Sequence, residues 1–171
     1  MNTQTLISEE EYLRTSYEPD CEFEDGVLIE RNVGTEKHSW LQAALTAYLF
    51  NRRKAWSIHV YTEQRNRVRA GKYEIPDICV VCGVRPETPV FEKPPFLAIE
   101  ILSPEDRPIR VDKTIHDWLD FGVSYVWVID PETMESIVYT NHGRIPMEDG
   151  VFRVPETIPE WTIDLNALDE Q

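Results

Sequence analysis

Basic residues are scarce in this chain: 17 lysines and arginines stand against 31 aspartates and glutamates, a formal charge of −14. That imbalance opposes indiscriminate attraction to nucleic acid and favours solubility, although it leaves room for a local basic patch beside a negative site. Cysteine is rarer still. Three of them, an odd number, give no disulfide framework. Cys79 and Cys82 form a C-x-x-C, but residues three apart on a strand point to opposite faces, so the pair cannot chelate one ion and reads as two core thiols. The histidines, His38, His59, His116 and His142, show no ligand spacing, which argues against a soft-metal site. No apolar run reaches membrane-spanning length, and Met1–Glu10 is too polar for a signal peptide. The expected location is therefore cytoplasmic, with no membrane partner. Repeats and low-complexity tracts are absent.

What is present is enough for one packed unit. At 171 residues the chain is expected to form a single domain, 1–171, with a real core. Its 42% apolar and 28% charged residues belong to a globular protein rather than a disordered one.

Local signals order the elements. Ser8-Glu9-Glu10-Glu11 is a capping box and predicts a short helix ending near Arg14–Ser16. Asp25-Gly26 predicts a hairpin between Cys21–Glu24 and Val27–Glu30. Thr35 caps a long helix over Glu36–Lys54, with Trp40, Leu41, Ala44, Leu45, Tyr48 and Leu49 as its apolar stripe. Trp56–Arg69 and Tyr73–Val81 read as two strands around Ala70-Gly71, and Phe96–Leu102 as a third after a proline-rich loop. Pro108 opens a helix that Gly122 ends, with Val111, Ile115, Trp118 and Leu119 facing inward. Ser124–Asp130 is another strand. Glu135–Thr140 and Val151–Val154, joined through Asn141-His142-Gly143, predict a closing meander of small strands, and Trp161–Leu168 packs back. The fold class is α/β, bordering on α+β, with a mixed sheet.

Two carboxylates stand out. Asp77 opens one apolar run, and Glu100 lies inside Phe96–Leu102, a segment patterned for burial on both faces. An ionised carboxylate there is costly unless paired, hydrogen-bonded or metal-bound. If the two strands are neighbours, Asp77 and Glu100 converge, and two hard oxygen donors completed by water and phosphate suit Mg²⁺, with Mn²⁺ as a substitute. The plainer alternative places Asp77 at a strand end and pairs Glu100 with a basic side chain. Arg65, Arg67 and Arg69 alternate along a predicted strand, which fits a solvated face or contact with phosphate. His38, at the edge of the long helix's stripe, reads as a partly buried histidine bonded to a neighbour.

Ile75-Pro76-Asp77 followed by Glu100-Ile101-Leu102 resembles the PD-(D/E)XK nuclease signature with its last position altered. More narrowly the chain resembles the Uma-type restriction-endonuclease-like family. The residues that carry this are Glu22 before Gly26, His38, Pro76-Asp77, Glu100-Ile101-Leu102-Ser103-Pro104, Gly122-Val123 and Tyr125–Pro131. The resemblance implies a restriction-endonuclease-like core, a central mixed sheet flanked by helices. It implies Asp77 and Glu100 as Mg²⁺ ligands, the Ile101 carbonyl as a further one, Glu22 as an outer carboxylate with Glu24 competing for that role, His38 beside the substrate, DNA as substrate and a homodimer as the working form. The superfamily's lysine is replaced by Leu102, and the positions where family members often compensate are Arg110 and Thr114. Lys113 is one residue out of register and points away from the apolar face, whereas Arg110 borders it. Either cation could stabilise charge on phosphate, although arginine is a poor base.

Two functions follow. One is a Mg²⁺-dependent endonuclease that uses Asp77, Glu100, Arg110 or Lys113, with Arg65, Arg67 and Arg69 on phosphate. The other is a catalytically weakened binding or dimerisation module that keeps the fold, a reading favoured by the missing lysine and the −14 charge.

Overall fold

The computed structural model describes residues 6–32, 34–154, 156–157 and 159–170. Met1–Thr5, half of the polar opening segment discussed above, lie outside the described residues. The chain runs α1 (Glu9–Arg14), β1 (Cys21–Glu24), β2 (Val27–Glu30), α2 (Glu36–Trp56), β3 (Ile58–Thr62), β4 (Asn66–Arg69), β5 (Lys72–Glu74), β6 (Ile78–Cys82) and β7 (Leu97–Ile101). It continues through α3 (Pro108–Phe121), β8 (Tyr125–Ile129), β9 (Ser136–Thr140), β10 (Gly143–Pro146), β11 (Val151–Val154), β12 (Trp161–Asp164) and a 3-10 turn, Leu165–Glu170. The main sheet has six strands in the order β10-β9-β8-β7-β6-β3, and only β7 and β8, joined across α3, are parallel. A four-stranded antiparallel sheet, β2-β1-β5-β4, and a β11-β12 ribbon complete the mixed α/β architecture expected from the sequence.

Local chemistry accounts for the ends of most elements. Ser8 and Thr35 cap α1 and α2 by accepting hydrogen bonds from the N–H groups of Glu11 and His38. Asp25 and Gly26 both take positive φ, 48° and 93°, as a tight two-residue hairpin requires. Pro108 opens α3, and Gly122, at φ 108°, closes it with its N–H on the carbonyls of Trp118 and Leu119.

Three expectations about the strands need correction. Trp56–Arg69 is not one strand. Trp56 ends α2, and Glu63, in the left-handed region at φ 52°, turns the chain out of β3 toward a different sheet. Tyr73–Val81 is likewise divided. Pro76, which has no N–H to give a ladder, lies between β5 in the small sheet and β6 in the main one. At the C-terminal end β11 pairs with β12 rather than with β9, whose outer partner is the fully exposed β10. Cys79 is buried but Cys82 is exposed, so only one of that pair is a core thiol.

The main sheet is covered on both sides. Leu41, Leu45 and Leu49 of α2 pack on Ile78, Val80, Leu97, Ile99 and Ile101, with Phe152, Trp161 and Ile163 of the ribbon in the same cluster. Ile115 and Trp118 of α3 pack on Ala98, Val126 and Val128 of the other face. Each fully buried leucine contributes roughly 1.5–3 kcal/mol. Alternation along β7 then turns Leu97, Ile99 and Ile101 toward α2 and puts Glu100 on the face of Ala98, under α3. The opposite side of α3 meets the small sheet through charge. Arg110 pairs with Glu22, Lys113 with Glu24, and Asp117 with the buried Lys72, which also reaches Glu74 at 2.9 Å.

A Cβ at position 122 would come within 3.3 Å of Pro94 in a left-handed backbone. Gly122→Ala is therefore expected to lower unfolding stability by more than about 1 kcal/mol, measured by urea denaturation. An unchanged midpoint would contradict this account of the helix end.

Candidate functional site

The break at Ile75-Pro76-Asp77 delivers Asp77 to the main sheet one residue before β6. Because Ile78 pairs with Ile99, Asp77 and Glu100 sit on neighbouring strands at the same end of the sheet. A cavity of about 80 Å³ opens there, and both carboxylates line it together with Glu22, Arg31, His38, Ile101, Asp106 and Arg110. The ends of two central strands, the end of the first hairpin and the first turns of α2 and α3 thus meet at one point.

Asp77 is 5% exposed and held from several directions. The backbone N–H of Ile101 donates to its Oδ2 at 2.7 Å, and His38 Nε2 lies 3.3 Å from the same oxygen. Arg31 Nη2 donates to Oδ1 at 3.1 Å. The backbone carbonyl of Asp77 accepts from Gln42 Nε2 at 3.0 Å, which ties it to α2. The hydrogen bond to Asp77 raises the pKa of His38, and the Asp77 charge adds to that effect against the opposing influence of burial.

Glu100 is different. Trp118 Nε1 donates to its Oε1 at 2.7 Å, but among the described residues Glu100 forms no ion pair. Burial, and next the charges of Asp77 and Glu22, push its pKa well above the ordinary 4.5. The plainer expectation, a structural partner for Glu100 from a lysine or arginine, is not met. The positive charge nearest the pair, Arg31, sits on Asp77.

The expected site residues divide. Asp77, Glu100, Ile101, Glu22, His38 and Arg110 line one cavity. Lys113 does not: its ammonium lies 2.7 Å from Glu24 Oε1, on the side of α3 that faces the small sheet. Arg65, Arg67 and Arg69 also lie away from the cavity. A bulge between Arg67 and Arg69 breaks their alternation, and their guanidinium groups are taken by Asp20, Glu9 and Glu24 with Asp25. A strand of free phosphate-binding arginines is thus replaced by a row of ion pairs. Arg110 is tied as well, with Nη2 3.2 Å from Glu22 Oε2.

Sequence reasoning missed Arg31, Asp106 and the polar role of Trp118. Trp118 carried a signal that went unread, since a buried indole N–H needs an acceptor. Arg31 carried none, being 46 residues from Asp77 along the chain.

Among the described residues no three His, Cys, Asp or Glu side chains converge on one metal position. Asp77 and Glu100 nevertheless suit a hard divalent cation. They are oxygen donors, with burial and then the Asp77 charge raising the pKa of Glu100, and one or two carboxylates with water and phosphate are the usual Mg²⁺ set. Glu22 and the carbonyl of Ile101 are the further donors at hand.

Two consequences are measurable. A carboxyl group whose folded pKa is raised binds its proton more tightly in the native state, so stability falls as pH rises above 4.5 toward the folded value. Glu100→Gln keeps an acceptor for Trp118 and removes that charge, so in EDTA at neutral pH its melting temperature should rise by about 2–4 °C. A marked fall would reveal a structural ion pair instead. For His38 the slope has the same sign, but here it is the protonated, charged form that Asp77 stabilises. The raised pKa of His38 contributes stability that is complete below 6.5 and is lost as pH rises through the folded value. His38→Gln should therefore cost most in acid and progressively less toward alkaline pH, as followed by thermal melts across pH.

Among solved structures, a protein described as "a putative nuclease belonging to DUF820" from Anabaena variabilis superposes with a TM-score of 0.81 at 25% identity, covering 96% of this chain and 98% of that one. No curated protein matches the chain. The family model Uma2, described as "Putative restriction endonuclease", matches residues 9–166. A match over nearly the whole sequence, on a fold that carries Asp77 and Glu100 side by side, places the chain in that family.

Proposed function

We propose that this protein is an endonuclease that hydrolyses DNA phosphodiester bonds with the help of Mg²⁺, for which Mn²⁺ can substitute. The observation that carries this is Glu100, a carboxylate with no cationic partner among the described residues, set beside Asp77 in an acid-lined cavity. Family membership supports the reaction class, and the match to a nuclease fold supports the substrate class. Asp77, Glu100 and the Ile101 carbonyl are the proposed ligands, and Glu22 is an outer carboxylate.

Held by Asp77, Glu100 and the Ile101 carbonyl, a divalent cation would supply acidity to a water molecule and positive charge to the phosphate. The chain's own residues prepare the site. Ile101 N–H and His38 fix the Asp77 carboxylate, and Trp118 fixes the rotamer of Glu100. Leu102, Val111 and Ile115 form an apolar wall that strengthens electrostatic contacts inside the cavity. Arg110, half-exposed at the same cavity, supplies a permanent positive charge toward the phosphate. In the net reaction the water oxygen bonds to phosphorus, the phosphorus–oxygen ester bond breaks, and the departing sugar oxygen takes a proton.

One observation favours a second reading. Arg31, Ile101 N–H and His38 already satisfy the Asp77 carboxylate, and neutral Leu102 and Thr114 stand where a lysine would serve. On that basis the chain keeps the fold as a binding module with weakened catalysis.

A Mg²⁺ and Mn²⁺ titration with a plasmid-cleavage assay separates the two. In the nuclease, Asp77→Ala and Glu100→Ala each lose metal binding and reduce cleavage by at least about 100-fold. If both variants bind metal and cleave as the wild type does, the nuclease assignment is wrong.

A further inference from the structure

We propose that Arg31 is a catalytic residue of this site. Its guanidinium and a divalent cation are alternative counter-ions for Asp77, and the guanidinium freed from Asp77 is the charge that meets the scissile phosphate. This rests on the nuclease reading above.

Geometry separates the two oxygens of Asp77. Oδ2 is fixed by the Ile101 backbone N–H at 2.7 Å, with His38 Nε2 at 3.3 Å. Oδ1 is held by Arg31 Nη2 alone among the described residues, at 3.1 Å. The first oxygen is held at the end of β7 and keeps the carboxylate in place. The second can exchange its partner without loss of that orientation. Arg31 itself follows β2, lines the cavity and has a side chain only 17% exposed. Its other arm is loosely placed, with Nη1 3.8 Å from Glu63, a side chain more than half exposed. Released from Oδ1, the guanidinium stays inside the cavity, tethered at the surface rather than buried without a partner.

The neighbouring cations are less available. Arg110 is bonded to Glu22 Oε2 at 3.2 Å and reaches the Glu30 carbonyl at 3.4 Å. Lys113 is paired with Glu24, and Lys72 is buried among Glu74, Glu24 and Asp117. Leu102 and Thr114 bring no charge to the cavity they line. Arg31 is therefore the guanidinium in direct contact with Asp77, whereas Arg110 is bound to the outer carboxylate Glu22. A guanidinium cannot act as a base, but its planar fork suits two phosphate oxygens, so its contribution is electrostatic.

The test uses the full chain with Arg31→Gln and Arg31→Lys. Mn²⁺ affinity is measured by calorimetry and DNA cleavage under single-turnover conditions, with thermal melts as folding controls. Arg31→Gln is expected to bind Mn²⁺ about tenfold more tightly, because a competing charge is gone, and to cleave about 100-fold more slowly. Arg31→Lys keeps the charge without the fork, so both changes should be smaller, about threefold and about tenfold. If Arg31→Gln does not fold, the lysine variant decides by the same two readouts. Unchanged or weaker Mn²⁺ binding in the folded variant, while the wild type cleaves DNA, overturns the proposal and leaves the nuclease reading standing. A wild type that binds Mn²⁺ and cuts no DNA refutes the nuclease reading, and the catalytic role of Arg31 with it.

Discussion

Everything around the cavity depends on the way one carboxylate is gripped. Asp77 receives a donor from β7 through Ile101, one from α2 through His38, and one from the end of the first hairpin through Arg31. Three separate elements of the chain are thereby fixed to a single anion. Such convergence is costly to dismantle, since removing the anion strands an arginine of low exposure and a buried histidine together. It also explains why the neighbouring Glu100 can remain without a cation. The available guanidinium is already on Asp77, and an indole N–H is what remains to stabilise the second acid.

The strain of that arrangement is electrostatic rather than steric. Glu100 shares the face of Ala98 beneath α3, where burial and the charges of Asp77 and Glu22 act on it together. A group so placed either keeps its proton or gathers positive charge. That choice links folding to ligand binding, because whatever supplies the positive charge stabilises the native state by binding to it alone.

Much of this was legible in the sequence, and for local reasons. Ser8, Thr35, Asp25-Gly26, Pro108 and Gly122 act within a few residues of themselves, so their elements begin and end where short-range chemistry dictates. The pairing of Asp77 with Glu100 was also accessible, because apolar runs on either side make their strands neighbours in the main sheet. What escaped was governed at long range. Glu63 and Pro76 each move the chain from one sheet to another, and alternation on both sides of the break looks the same in either sheet. Pro76 did carry a warning, since a proline inside an apparent strand argues against continuity. Lys113 and the three arginines from Arg65 to Arg69 looked like free cations because their partners, Glu24, Asp20, Glu9 and Asp25, come from the opening third of the chain.

The seam between α3 and the small sheet has a consequence of its own. Arg110, Lys113 and Asp117 meet Glu22, Glu24 and Lys72 in a polar ladder between helix and sheet. Buried ion pairs can often be exchanged for well-packed apolar side chains with no loss of stability. Within the ladder only Lys72, with Glu74 beside it, is buried enough for that exchange, and a heat-resistant redesign would begin there. The ladder's last rung, Glu22, also borders the cavity, and there such a redesign would have to stop.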